Sequence, residues 1–298
     1  MEIGFEKYEA AGNDFIVVDA SSFAGMESGA AVGRLVEVAS KWCDRHFGIG
    51  ADGILFIDRG TASVAHGRGT VAKMTIINSD GSLAEMCGNG IRCAARYIAS
   101  RVLGVEGGLT IATDGGDQRI CFASGSDGDI AVEMGRCDYV RDVALELVNG
   151  LAFDGDEIDV GNPHFVVELC GNDAGLTPRE ARDAYGAEIS RHREFRHGAN
   201  VEFTREIAPN HLEMRVFERG VGPTLACGTG CVASAYAYCR KRGLSGVSVA
   251  IETEGGLLHV EIPEGIDWDE HVSKSRVKLI GGAKHVYSGV MALNDEAC

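Results

Sequence analysis

The feature that most limits how this chain can fold is an internal repeat. Cys87-Gly88-Asn89-Gly90 recurs as Cys227-Gly228-Thr229-Gly230, 140 residues later. At the same offset, Thr113-Asp114-Gly115-Gly116 is matched by Thr253-Glu254-Gly255-Gly256. A third pair, Gly12-Asn13-Asp14-Phe15 and Gly161-Asn162-Pro163-His164, lies 149 residues apart and is followed by IVV and FVV. The halves therefore differ by an insertion of about nine residues. Three matches in the same order imply a duplicated chain with two similar halves.

The surroundings of each copy agree with that reading. VAKMTIIN (71–78) and HLEMRVF (211–217) alternate as β-strands do, and each ends shortly before its cysteine. After each Cys-Gly-x-Gly comes a helix former, IRCAARYIASRVL with a stop at Gly104 and CVASAYAYCRKR with a stop at Gly243. The second helix is small and apolar on nearly every face, which predicts burial all round. The expected fold is α/β of the α+β type: two pseudo-symmetric domains, each a set of strands wrapped around one central helix. Each cysteine is expected on the glycine turn that opens that helix. The domain boundary is expected near residues 130–136, giving halves 1–134 and 135–280. TREIAPNH (204–211) reads as a turn between strands, and the stretch Asp58 to Thr70 as a surface loop.

Composition narrows the functional classes. A net charge of −16 opposes binding to nucleic acid or to an anionic membrane, because like charges repel. No apolar run approaches the 18 or so residues that a membrane helix needs. The N-terminal MEIGFEKYEAAGNDF lacks a basic leader before an apolar core, so a cytoplasmic location is expected. Ten cysteines in a reducing compartment are weighed as core residues, metal ligands or catalysts rather than disulfides. No CxxC occurs, and Cys227-x-x-x-Cys231 has no matching second pair, so a metal or redox module is poorly supported and no metal is expected. Cys43, Cys93, Cys121, Cys137, Cys170, Cys231, Cys239 and Cys298 read as small core residues.

Cys87 and Cys227 stand apart. A cysteine at a helix N-terminus feels unpaired amides and the positive end of the helix dipole, which can lower a thiol pKa from about 8.5 to roughly 3.5–7.5. The adjoining glycines leave amide donors open to a carboxylate. Two such thiols, related by duplication, suit inversion of a stereocentre by proton exchange: a base on one face of the carbon and an acid on the other. Helix N-termini aimed at the α-carboxylate would stabilise the charge that develops there.

At these residues the sequence resembles the diaminopimelate epimerase family, almost end to end. The resemblance rests on GNDFIVVD (12–19), CDRHFGIGADGILF (43–56), NSDGSLAEMCGNGIRC (78–93), GNPHFVV (161–167), GANVEF (198–203), ERGVGPTLACGTG (218–230) and GGAKHVYSG (281–289). It implies interconversion of LL- and meso-diaminopimelate in lysine and peptidoglycan precursor synthesis, in a cleft between the two domains. It further implies that Cys87 and Cys227 transfer the proton, with His164 and Glu218 assisting. Glu218 stands nine residues before Cys227 just as Asn78 stands nine before Cys87. Asn13, Asn78, Asn162, Asn200 and Arg219 would hold the substrate, and the amides of Gly88, Asn89, Gly228 and Thr229 its reacting carboxylate. The family implies no cofactor, neither pyridoxal phosphate nor metal, a homodimer, and a tail from about 281 to 298 that returns to the first half. Two departures from the family pattern are Glu9-Ala10-Ala11 before GNDF and Arg196 after Phe195. A racemase of the same fold acting on proline or histidine is the alternative, disfavoured by the Asn and Arg set.

Overall fold

The computed structural model describes residues 1–60, 70–101, 107–122, 129–169, 175–266, 268 and 277–293. Most of the loop expected over Asp58–Thr70, the helix stop at Gly104, Cys170 and Cys298 lie outside the described residues. The chain forms two compact units, residues 1–132 with 281–298 and residues 133–280. No helix among the described residues is long and apolar enough to cross a membrane.

The first unit runs β1 (Glu2–Ala10), β2 (Asn13–Asp19), α1 (Ser28–Cys43), β3 (Gly53–Asp58), β4 (Thr70–Asn78), β5 (Leu83–Ala84), α2 (Gly88–Ala99), β6 (Leu109–Thr113), β7 (Gly116–Phe122) and β8 (Ile130–Glu133). β1 pairs antiparallel with β2, β2 parallel with β3, and β3 antiparallel with β4. β4 also pairs antiparallel with β5 and parallel with β6, and β6–β7–β8 is an antiparallel meander.

The second unit repeats this order element for element. After β9 (Asp138–Glu146) come β10 (Ala152–Asp159), β11 (Pro163–Glu168), α3 (Pro178–Ser190), β12 (Asn200–Ala208), β13 (His211–Glu218), β14 (Gly222–Thr224), α4 (Gly228–Arg242), β15 (Val247–Thr253), β16 (Gly256–Ile262) and β17 (Lys278–Gly281). The pairing senses are also the same: β10–β11 antiparallel, β11–β12 parallel, β12–β13 antiparallel, β13–β15 parallel. The last strand, β18 (Lys284–Ala292), pairs antiparallel with β1 in the first unit. β9 holds the corresponding place on β10, and both ladders carry a register shift, at Lys7/Tyr8 and at Glu157/Ile158. The duplication therefore extends to a β-bulge that no sequence motif marks.

Period-two alternation gives each central strand two buried faces. Ile16, Val18, Ile54 and Phe56 pack with α1 through Leu35, Ala39 and Trp42, while the alternate side chains turn away towards α2. In the second unit, Phe165, Val167, Val201 and Phe203 pack with Ala181 and Ile189 of α3. α2 is packed by β1, β2, β3, β4 and β18, and α4 by β10, β11, β12, β13, β15 and β16. Every residue of α4 from Gly228 to Cys239 is buried except Thr229, as the lack of a polar face predicts. Gly243 closes α4 in the left-handed conformation, at the stop read from the sequence. The turn expected over 204–211 is tighter than that. β12 continues to Ala208, and Asn210 alone takes a positive φ, of 57°, before β13 begins. Cross-strand pairing of Thr204 to Glu206 with Leu212 to Met214 keeps those residues extended.

Gly155 in β10 sits in close contact with β11. A Cβ there would lie 2.7 Å from the Phe165 ring and closer still to the Val166 carbonyl. Gly155→Ala is expected to cost about 1–3 kcal/mol, the usual range for overpacking. The urea midpoint measures it.

Candidate active site

The two cysteines occupy the same local structure. Cys87 is the N-cap of α2 and Cys227 the N-cap of α4, both with extended backbone. Each Sγ accepts a hydrogen bond from the amide three residues on, Gly90 at 3.3 Å and Gly230 at 3.4 Å. The amides of Gly88 and Asn89, and of Gly228 and Thr229, belong to first helical turns and so have no acceptor within their own helices. Close approach sets the glycine requirement behind the second cysteine. A Cβ on Gly230 would meet the Glu202 carboxylate at 2.6 Å, whereas one on Gly90 would come no closer than 3.3 Å to Leu55 and 3.4 Å to the Cys87 side chain.

Alternation along β11 and β12 places His164 and Glu202 on the α4 side of their strands. Both side chains are 0% exposed, and His164 Nδ1 lies 2.7 Å from Glu202 Oε1. His164 Nε2 lies 3.0 Å from Asn162 Oδ1. The sequence reading did not single out Glu202. Its signal is a carboxylate inside the apolar run NVEF, at the position where the register of the first unit has Leu55. Ile77 pairs with Ile54 just as Phe217 pairs with the equivalent Val201, so the next residues, Asn78 and Glu218, hold equivalent places.

Glu218 accepts a hydrogen bond from Thr224 Oγ1. Burial raises its pKa, and the nearby Glu202 charge adds to the rise against the opposing effect of Thr224. Burial, then the charges of Glu218 and Glu202, push the Cys227 thiol well above the ordinary thiol range; Thr229 and the Gly230 amide offset only part of this. This corrects the expectation that a helix N-terminus lowers the pKa of this cysteine. The dipole and one amide are present, but desolvation of a thiolate in a buried site outweighs them. Cys43 and Cys239 are likewise raised by burial, to about 11 and about 12. Cys93 and Cys137 are buried too, in keeping with core roles, whereas Cys121 is half-buried.

In the first unit the polar groups lie elsewhere. Asn13 donates from Nδ2 to Asp52 at 3.0 Å and accepts from Asn89 Nδ2 at 2.5 Å. Asn89 Oδ1 accepts from Arg92, which is 0% exposed and also donates to the carbonyls of Gly88 and Gly282. Arg45 bridges Asp14 and Asp52, and buried Lys7 pairs with Asp14 at 2.8 Å. Burial alone would raise Asp14, but hydrogen bonds from Arg45 and Lys7 win and lower it to about 2. Asn78 donates to Ser82 Oγ at 2.9 Å. Asn200 is spent on backbone: Oδ1 accepts from the Arg219 amide at 2.9 Å and Nδ2 donates to the Pro163 carbonyl at 3.3 Å. It thereby ties the turn after β13 to the start of β11. The Arg219 side chain is exposed and donates to the His197 carbonyl. In the second unit, then, Asn162, His164 and Glu202 form one bonded set, with the Glu202 carboxylate against Gly230, while Cys227 bonds to Thr229 and Glu218 to Thr224. In the first, Asn13 and Asn89 are bonded directly while Asn78 bonds separately to Ser82.

With that geometry in place, comparison with known proteins is decisive for family. The sequence profile described as diaminopimelate epimerase matches residues 5–140 and 157–279. The chain belongs to the diaminopimelate epimerase family. Among its relatives, the diaminopimelate epimerase of Desulfovibrio desulfuricans is 34% identical, covering 96% of each chain. That of Rippkaea orientalis is 35% identical over 98% of this chain and all of the relative. Solved structures share the fold at lower identity. A Bacillus anthracis phenazine biosynthesis protein of the PhzF family matches with a TM-score of 0.70 and 16% identity, over 98% and 99% of the two chains. A hydroxyproline epimerase from Agrobacterium vitis matches at 0.68 and 15%, over 99% and 93%. The mixed α+β fold, with four α-helices among the described residues, is shared with these structures.

Gly230→Ala must displace Glu202, so it should lower stability by about 1–3 kcal/mol, with Gly90→Ala costing clearly less; paired thermal melts compare them. Because the Cys227 pKa is raised, this residue is a thiol at neutral pH. Its alkylation, followed by peptide mass spectrometry, should be slow there and accelerate only in alkali. Asp14 carries the opposite sign. Its folded pKa lies below the unfolded value, so its ion pairs stabilise fully above about pH 4 and are lost as pH falls through about 2. Asp14→Asn should therefore flatten the acid limb of the stability curve.

Proposed function

We propose that the chain interconverts LL- and meso-diaminopimelate, using Cys87 and Cys227 as the acid and base. The observation that carries this reading is the equivalence of two thiols, each capping a helix and each bonded to the amide three residues on, in a chain of this family. In one direction a thiolate removes the α-proton as the other thiol delivers its own proton to the opposite face. The centre is inverted, and the two sulfurs exchange protonation states. The amides of Gly88, Asn89, Gly228 and Thr229 hold the α-carboxylate and stabilise the negative charge that builds on it. Asn13, Asn78, Asn162 and Arg219 bind the rest of the diacid, with Arg219 as a cationic anchor whose backbone Asn200 holds in place.

His164 and Glu218 assist Cys227. Burial raises the Glu218 pKa and the Glu218 charge raises that of Cys227, so this carboxylate is near enough to take up the thiol proton and return it without charge leaving a buried site. The raised Cys227 pKa fits a sulfur that rests as the acid. In this reading the amides at the two helix N-termini, in place of a pyridoxal phosphate electron sink, stabilise the charge that builds at the α-carbon. We assign residues 1–134 with 281–298 and residues 135–280 as the two catalytic halves, working in a cytoplasmic homodimer.

Purified protein should exchange the α-hydrogen of diaminopimelate in D2O, and Cys87→Ala and Cys227→Ala should each abolish epimerisation while leaving the fold intact. Exchange with proline or histidine but not with diaminopimelate would replace this reading by the same-fold alternative. In this reading, mild oxidation followed by mass spectrometry is expected to find Cys87 linked to Cys227.

A further inference from the structure

The duplication supplies an internal control for one buried pair. At the two positions where the second unit has His164 and Glu202, the strand registers of the first unit have Phe15 and Leu55. Phe15 is 4% exposed and Leu55 is fully buried, so an apolar pair fills this place in the fold without polar atoms. In the second unit the same place holds an imidazole and a carboxylate, both fully buried, with Glu202 Oε2 lacking a hydrogen-bond partner among the described residues. Burying such a pair costs desolvation that an apolar pair avoids, and removing it in favour of well-packed hydrophobic residues is often neutral or stabilising. Packing therefore does not explain its presence here.

We propose that Glu202 is a positioning residue for His164, fixing which ring nitrogen carries the proton. A carboxylate oxygen accepts, so the 2.7 Å contact places the proton on Nδ1. That leaves Nε2, 3.0 Å from Asn162, as the nitrogen that takes up or releases a proton. The Asn162 side chain can turn either its oxygen or its NH2 towards Nε2, and so serves both protonation states. Glu202 is also fixed in place. Its carboxylate lies against Gly230, whose amide caps Cys227 Sγ, so ring and thiol are tied to one helix turn. This role rests on the proposed reading that His164 assists Cys227.

Ring 15N–1H correlation spectra of the whole protein test the inference directly. The His164 signals are assigned by their absence from the double variant His164→Phe/Glu202→Leu. Nδ1 should carry the proton in the unaltered protein, and Glu202→Leu, which removes the acceptor, should release the ring towards the Nε2–H tautomer. In the proposed reaction, Glu202→Leu should lower kcat by on the order of 10²-fold with KM little changed. The double variant, which installs the first unit's own pair, should melt no lower than the unaltered protein. A bare Nδ1 in the unaltered protein overturns the proposal, as does an unchanged ring tautomer and kcat in Glu202→Leu. So does a markedly destabilised double variant, which would make the pair structural. Absence of diaminopimelate exchange in the unaltered protein would sink the proposed function, yet the tautomer measurement would still decide the role of Glu202.

Discussion

The hydrogen bond from a first-turn amide to a cysteine sulfur, made once by Gly90 and once by Gly230, is the constraint on which the rest of the structure depends. It makes the sulfur the N-cap of a helix, so backbone donors converge beside it. A helix start of this kind must be held inside the protein to exclude water, and it is held by strands packed around the helix. The same solution appears twice in the chain, in the same order of elements and the same pairing senses. Even the bulge in the strand behind each helix is repeated.

Identical scaffolds do not carry identical chemistry. Around α4 the helix-facing positions of β11, β12 and β13 hold His164, Glu202 and Glu218, and burial together with two carboxylates keeps Cys227 protonated. Around α2 the equivalent strand positions hold Phe15, Leu55 and Asn78, while charge is concentrated in the Lys7–Asp14–Arg45–Asp52 cluster that positions Asn13. Arg92, with no counterpart among the apolar residues of α4, reaches Asn89 from within its own helix.

Much of this was legible in the sequence. The repeated Cys-Gly-x-Gly, the strand before it and the helix after it place both N-caps, because local spacing and glycine chemistry determine them. The apolar surface of α4 announced its burial. What spacing could not show was the balance of energies at Cys227. A helix N-terminus favours thiolate and burial opposes it, and only the packed surroundings decide how much water the sulfur loses. The tight turn at Asn210 escaped for a related reason: cross-strand pairing extends β12 through residues whose local composition reads as a turn.

The sequence by itself determined the duplication, the fold class, the two thiols and the family. The tertiary structure decided which buried groups meet. Glu202 lies 38 residues from His164 along the chain and reads as one polar residue in an apolar strand; parallel pairing of β11 with β12 brings its carboxylate to the imidazole. Likewise Asn89 reaches Asn13 across 76 residues, and Asn200 proves to be held by backbone groups at both ends of its amide. Motifs report which side chains are present, because chemistry at short range leaves a local pattern. Partners brought together by strand pairing leave none, and they decide protonation and orientation.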